Sequence, residues 1–100
     1  MKSRRSKACD ISQKVKEAAW ERDGHRCIYC GSPYAMPNAH YIPRSKGGMG
    51  IQENIVSLCI LCHMNYDQTN KRNEYKEYIK KYLKSKYIDW DEEKIYYNGK

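Results

Sequence analysis

The sequence predicts a small α+β domain stapled by zinc, and three observations lead there. Two Cys-x-x-Cys pairs, Cys27/Cys30 and Cys59/Cys62, are separated by 28 residues. The stretch between them consists of short β-branched, aromatic, Gly and Pro pieces without a helical period. On both flanks apolar residues recur at the spacing of a helix. One hundred residues make one ordinary domain. Its large side chains are ten Tyr and two Trp with no Phe, so the core is thin and carries polar tips that need partners. A core of that kind gains from a metal staple.

Residues 1–10, with Lys2, Arg4, Arg5 and Lys7, read as a flexible basic arm with almost nothing to bury, and Cys9 falls within it. Residues 11–100 read as one domain, with a core at about 20–67 and a C-terminal helix and tail over 71–100. Ser12 is the expected N-cap of a first helix in which Val15, Ala18 and Ala19 recur as far as Arg22, and Gly24 ends it. From His25 to about Leu61 the pattern predicts turns and a two-stranded hairpin. Its pieces are Cys27–Cys30, a turn from Gly31 to Pro37, the strand-like His40–Ile42 and a loose loop at Gly47–Gly50. A short helix is expected over Leu61–Thr69 and a longer one over Asn73–Lys86, where Tyr75, Ile79, Tyr82 and Leu83 share a face. Trp90, Ile95, Tyr96 and Tyr97 in the tail are expected to pack back onto the body.

The formal charge is +7, and its distribution says more than its sum. Residues 31–70 hold only Arg44 and Lys46 against Glu53 and Asp67, so the two ends supply the positive field. A pI near 9.2 with basic flanks favours a polyanionic partner, nucleic acid before membrane, because Lys and Arg release counterions from phosphates. Solubility alone is the plainer use of such charge. No window approaches the 18 or more apolar residues of a membrane-spanning helix, and Met1–Lys7 leads into no apolar signal segment, so a cytoplasmic location is expected. Structural disulfides are then disfavoured.

Two Cys-x-x-Cys turns can present four thiolates to one tetrahedral Zn²⁺, so Cys27, Cys30, Cys59 and Cys62 are the expected structural zinc ligands. Three other readings compete. A redox Cys-x-x-Cys needs a βαβ setting that is not evident here, and paired disulfides conflict with the expected compartment. Cys59-Ile60-Leu61-Cys62-His63 also fits the covalent haem-attachment pattern, but that chemistry requires export and leaves the first pair unexplained. The insert between the pairs is longer than in compact two-knuckle modules, and it holds His40 and Asn54. His63 directly follows the last cysteine. Adjacent helix positions differ by about 100° in direction, so Cys62 and His63 should face different surroundings. His63 and Asp67 are i and i+4, share one face, and can hold a second divalent cation.

Taken together, Cys27-x-x-Cys30, Ala39-His40-Tyr41-Ile42-Pro43-Arg44-Ser45-Lys46-Gly47-Gly48, Asn54 and Leu58-Cys59-x-x-Cys62-His63 resemble the HNH endonuclease family over about residues 20–67. Chain size and flanks look most like the small zinc-knuckle HNH proteins of phages and prophages. The resemblance implies a ββα-metal fold and nuclease activity on DNA. It gives His40 as general base, Asn54 as the residue that orients that histidine or pins the hairpin loop, and His63 as a metal-binding histidine. Imidazole suits water activation near neutral pH, and a cation at His63 and Asp67 suits an open shell of Mg²⁺, Mn²⁺ or Ni²⁺. Arg44 and Lys46 on the loop, Arg4, Arg5 and Lys7 on the arm, and the series Lys71, Arg72, Lys76, Lys80, Lys81 and Lys84 are the expected phosphate contacts.

One departure stands out. The family commonly places Asp, Glu or His immediately before the base as a metal ligand, and this chain has Ala39, which can ligate nothing. The reading that follows is a divalent-metal-dependent DNA endonuclease, as monomer or dimer, working beside a phage packaging terminase. A zinc-stabilised DNA-binding module without catalysis is the alternative, and a protein-interaction zinc module a third.

Overall fold

A computed structural model describes residues 4–97. The expectations placed on Lys2 and on the Arg5 side chain lie outside the described residues. The chain runs α1 (Arg4–Cys9), α2 (Gln13–Arg22), β1 (Ala35–His40), β2 (Ile55–Cys59), α3 (Ile60–Gln68) and α4 (Arg72–Lys86), with 3₁₀ turns at Arg44–Lys46 and Glu92–Lys94.

α2 begins where its cap predicts. Ser12 is extended, and its Oγ accepts the Val15 N–H at 3.1 Å, which satisfies one of the orphan donors of the first turn. At its other end the buried Asp23 gathers three elements. It accepts from Arg22 Nε at 2.7 Å, from the Ser57 backbone N–H at 2.8 Å, and from the Tyr82 hydroxyl. A buried carboxylate with that many donors ties α2 to β2 and α4, and it would be costly to leave unpaired.

β1 and β2 form the expected two-stranded antiparallel sheet, but its first strand lies elsewhere. Cys27–Cys30 is a turn, and the strand occupies Ala35–His40, so it ends at the histidine that was expected to open one. The pairing runs Met36↔Leu58 and then Ala39↔Val56, with an irregularity between them at Pro37-Asn38. Proline has no N–H to give a ladder, and a bulge absorbs the loss. This is why a segment that reads as a turn can serve as a strand. α2 packs against both strands and α3 against β2, and all five residues of β2 are buried.

The core joins Ala39, Val56 and Leu58 of the sheet to Tyr66 of α3 and to Tyr75, Ile79 and Leu83 of α4. The last three are the helical stripe the sequence predicts, and Tyr82 beside them is partly buried. Full burial of a side chain such as Ile79 contributes about 1.5–3 kcal/mol. The tail does pack back: Trp90 Nε1 donates to the Glu53 carbonyl at 2.7 Å, its ring meets Tyr41 edge-on, and Ile95 is buried.

The N-terminal segment departs from the expected flexible arm. Arg4–Cys9 is helical, and Cys9 is 2% exposed. The Gly50 N–H donates to the Ala8 carbonyl at 2.9 Å, which stitches this helix to the glycine loop. Its composition offered no apolar periodicity because the anchoring is by backbone groups and one small thiol.

Candidate active site and metal centre

The four cysteines meet at one end of the hairpin. Their Sγ atoms all lie within 4.8 Å of one another, with Cys30 and Cys59 at 3.6 Å. A tetrahedral zinc with bonds of about 2.3 Å sets its sulfurs about 3.8 Å apart, so the donor set fits that ion. None of the four is in a disulfide. The first pair rides a tight turn in which the Gly31 N–H donates to the Cys27 carbonyl at 3.0 Å. The second straddles the junction of β2 and α3, where Cys59 caps the helix by accepting the Cys62 N–H on its sulfur.

Burial pushes the Cys27 thiol up, but the backbone N–H groups of Cys30, Cys59 and Tyr29 outweigh it and bring its pKa down to about 7. Burial pushes the Cys62 thiol well up, and the hydrogen bond from Tyr75 does not offset it. Four sulfurs this close cannot all ionise unaided, and a dication removes the conflict. Among the described residues this cluster contains no histidine. His63 turns away from Cys62, as the helix geometry predicts, and its Nε2 lies 3.3 Å from Asp67 Oδ2 across one turn of α3.

His40 sits at the C-terminal end of β1 and is half-buried. Its Nε2 is 3.0 Å from the Cys9 carbonyl oxygen. Burial first, and then the nearby Arg44 and His63, hold its pKa below the usual 6.5, against the pull of that carbonyl. The imidazole is therefore neutral at neutral pH, the form a general base needs.

Asn54 is fully buried and pins the loop after His40. Its Oδ1 accepts the Ile42 N–H at 2.8 Å, its Nδ2 donates to the Ile42 and Met49 carbonyls, and its own carbonyl accepts the Tyr41 N–H at 2.8 Å. These bonds go to the backbone of the loop, and none of them reaches the His40 ring. Gly48 lets the loop close: a Cβ there would lie 1.6 Å from the Ile42 oxygen.

Arg44, expected on phosphate, also makes contacts within the protein while its side chain stays about half exposed. Its Nη1 donates to the Cys9 carbonyl at 2.8 Å and its Nη2 pairs with Asp10 Oδ1 at 3.0 Å. Lys46 remains exposed and lines a shallow cavity with Arg72 and Lys76 of α4, which brings loop and helix cations to one place. Arg4 and Lys7 are exposed on α1. His25 pairs with Glu21 at the surface and takes no part.

Ala39 is completely buried in the core and supplies no ligand. Beside it, Asn38 lines a cavity with His63, and its Oδ1 is buried with no hydrogen-bond partner among the described residues. An unpartnered buried acceptor on a cavity shared with the His63 imidazole calls for a water or an ion as its partner. Reasoning from sequence did not single out three groups that the fold brings beside the candidate residues: the Cys9 carbonyl, Asp10 and Asn38. No motif marks a backbone carbonyl, and Asp10 carries no signal until Arg44 is folded against it.

No helix among the described residues is long and apolar enough to cross a membrane. The chain is similar to anaredoxin of Nostoc sp. (strain PCC 7120 / SAG 25.82 / UTEX 2576), with 29% identity over 55 residues, covering 54% of this chain and 72% of that protein. Residues 27–69, from the first cysteine of the cluster to just past α3, match the HNH endonuclease family, and the two strands, the helix and the four-cysteine cluster in that stretch are those of a ββα-metal fold.

Proposed function

We infer that this protein is a divalent-metal-dependent endonuclease that hydrolyses DNA phosphodiester bonds. The observation that carries the reading is His40: a half-buried, neutral imidazole at the end of β1 with one ring nitrogen already committed to a carbonyl, in the field of the His63/Asp67 pair. His40 takes a proton from the attacking water. Asn54 keeps the loop beyond it closed, so that the ring does not drift from the phosphate. His63 and Asp67 are the residues that would hold the catalytic cation, with Asn38 Oδ1 at its edge. That cation, Mg²⁺, Mn²⁺ or Ni²⁺, supplies charge stabilisation at the phosphate and the leaving 3′ oxygen. The zinc end keeps β2 and α3 in register and does no chemistry. Lys46, Arg72 and Lys76 support a backbone-directed grip on DNA, with Arg4 and Lys7 extending it.

One such site cuts one strand, so full cleavage of a duplex takes two events or two copies. By its likeness to small phage HNH proteins we place it in the cytoplasm beside a packaging terminase. Stimulation of cutting by a terminase is the expected outcome, and its absence removes that company.

The test is relaxation of supercoiled plasmid by zinc-loaded protein, supplied with Mg²⁺, Mn²⁺ or Ni²⁺, beside His40→Ala. Nicked circles from the native chain alone support the enzyme. A second reading, a DNA-binding zinc module without catalysis, is favoured by Ala39. It predicts a salt-sensitive gel shift, equal in both proteins, with no nicking under any metal.

A further inference from the structure

The matched HNH segment begins at residue 27, yet the contact that orients its base comes from residue 9. We propose that the segment Ala8–Asp10 is part of the active site: the Cys9 carbonyl is a tautomer clamp on His40, and Asp10, acting through Arg44, is its positioning residue.

A carbonyl oxygen can only accept, so at 3.0 Å from Cys9 the His40 Nε2 must carry the hydrogen. In a neutral ring this leaves the lone pair on Nδ1, the nitrogen free to receive a proton from water. The same oxygen accepts Arg44 Nη1 at 2.8 Å, and Arg44 Nη2 is paired with Asp10 at 3.0 Å. One guanidinium thus links the carbonyl to the next residue's carboxylate and sets the distance between α1 and the loop after His40. Arg44 serves here as a brace within the protein, with about half of its side chain still in solvent. The second anchor is the Gly50 N–H on the Ala8 carbonyl at 2.9 Å. Gly50 approaches so closely that a Cβ there would stand 2.1 Å from the Asp10 carbonyl oxygen, which leaves no room for any other residue while the clamp is seated.

The inference rests on the endonuclease reading for its meaning, but its geometry can be tested without activity. Long-range ¹H–¹⁵N correlation of the histidine rings in the full zinc-loaded chain reports each tautomer directly. His40 is expected as the Nε2–H form. In Gly50→Ala, where the new methyl displaces the segment, His40 should become a mixture of both tautomers while His25 and His63 keep their shifts and the zinc content is unchanged. In the nicking assay the same variant should lose about tenfold in kcat with KM for DNA within about twofold, the pattern of a lost base rather than lost binding. Asp10→Asn, at a half-exposed position, is the milder second variant should Gly50→Ala not fold, with a partial tautomer shift expected. An Nδ1–H form in the native chain, or an unmixed Nε2–H ring in every folded variant of the two, overturns the clamp. A native chain that nicks nothing while His40 shows the clamped tautomer overturns the endonuclease reading and leaves the clamp standing.

Discussion

The cysteine cluster and the His63/Asp67 pair of α3 offer candidate metal donors in opposite styles. At the cysteine end four sulfurs close on one point, within 4.8 Å of one another, on two turns and a helix cap. At the histidine pair, the more open of the two, the protein offers His63 and Asp67, with the unpartnered Asn38 Oδ1 on a cavity shared with His63 and an alanine where the HNH resemblance places a further ligand. A closed set of donors makes a structural centre, whose binding energy is folding energy. An incomplete one leaves room for water and phosphate, which catalysis requires. The contrast teaches that sparse ligation at the second end is compatible with function only if the surrounding backbone is stiff. The bonds made by Asn54 and by the Cys9 carbonyl supply that stiffness.

The largest effect is expected at the closed end. Cys59→Ala removes a ligand and the cap of α3 together, and chelation of zinc should remove the metal cross-link from the native chain. Both are expected to abolish cooperative unfolding, read by circular dichroism against zinc content. Retention of a sharp melt without zinc would break the comparison outright.

At the open end, His40→Ala should reduce nicking by about 10²–10⁴-fold while DNA affinity and melting temperature change little. A loss of fold instead would make His40 a structural residue. The missing ligand gives a sharper test. Ala39→Asp puts a carboxylate into the core, so it should lower the melting temperature in metal-free buffer and recover on addition of Mn²⁺. Asp67→Asn should weaken cation binding by about tenfold without touching zinc, measured by Mn²⁺ titration.

The smallest effect concerns pH. Burial, with Arg44 and His63, holds His40 below 6.5 when folded, so the unfolded chain binds more protons just below that value. The contribution is present in full above pH 6.5 and is lost as pH falls through the folded pKa. His40→Ala should flatten this slope in denaturant melts taken between pH 5 and 7. An unchanged slope removes His40 as its source.

Local signals carried much of the fold and site. Ser12 capped its helix because a side-chain oxygen three residues from an N–H needs nothing distant. The stripe Tyr75, Ile79, Leu83 and the step between Cys62 and His63 followed from helix geometry alone. The cysteine centre was legible because spacing and ligand chemistry sit within two short turns. Strand β1 was displaced because Pro37 and its neighbours carry turn propensity, and only the partner strand, with a bulge at Pro37-Asn38, makes them extended.

What the sequence by itself determined, then, is the part ruled by neighbours along the chain: helix caps and faces, the zinc pairs, and the identity of the histidines. Tertiary structure alone decided how the open end is set. It brought a backbone carbonyl 31 residues before His40 onto its ring, paired Arg44 with Asp10, and gathered Lys46 with Arg72 and Lys76. The physical reason is that backbone acceptors are the same at every residue. Only folding selects which one meets a given imidazole.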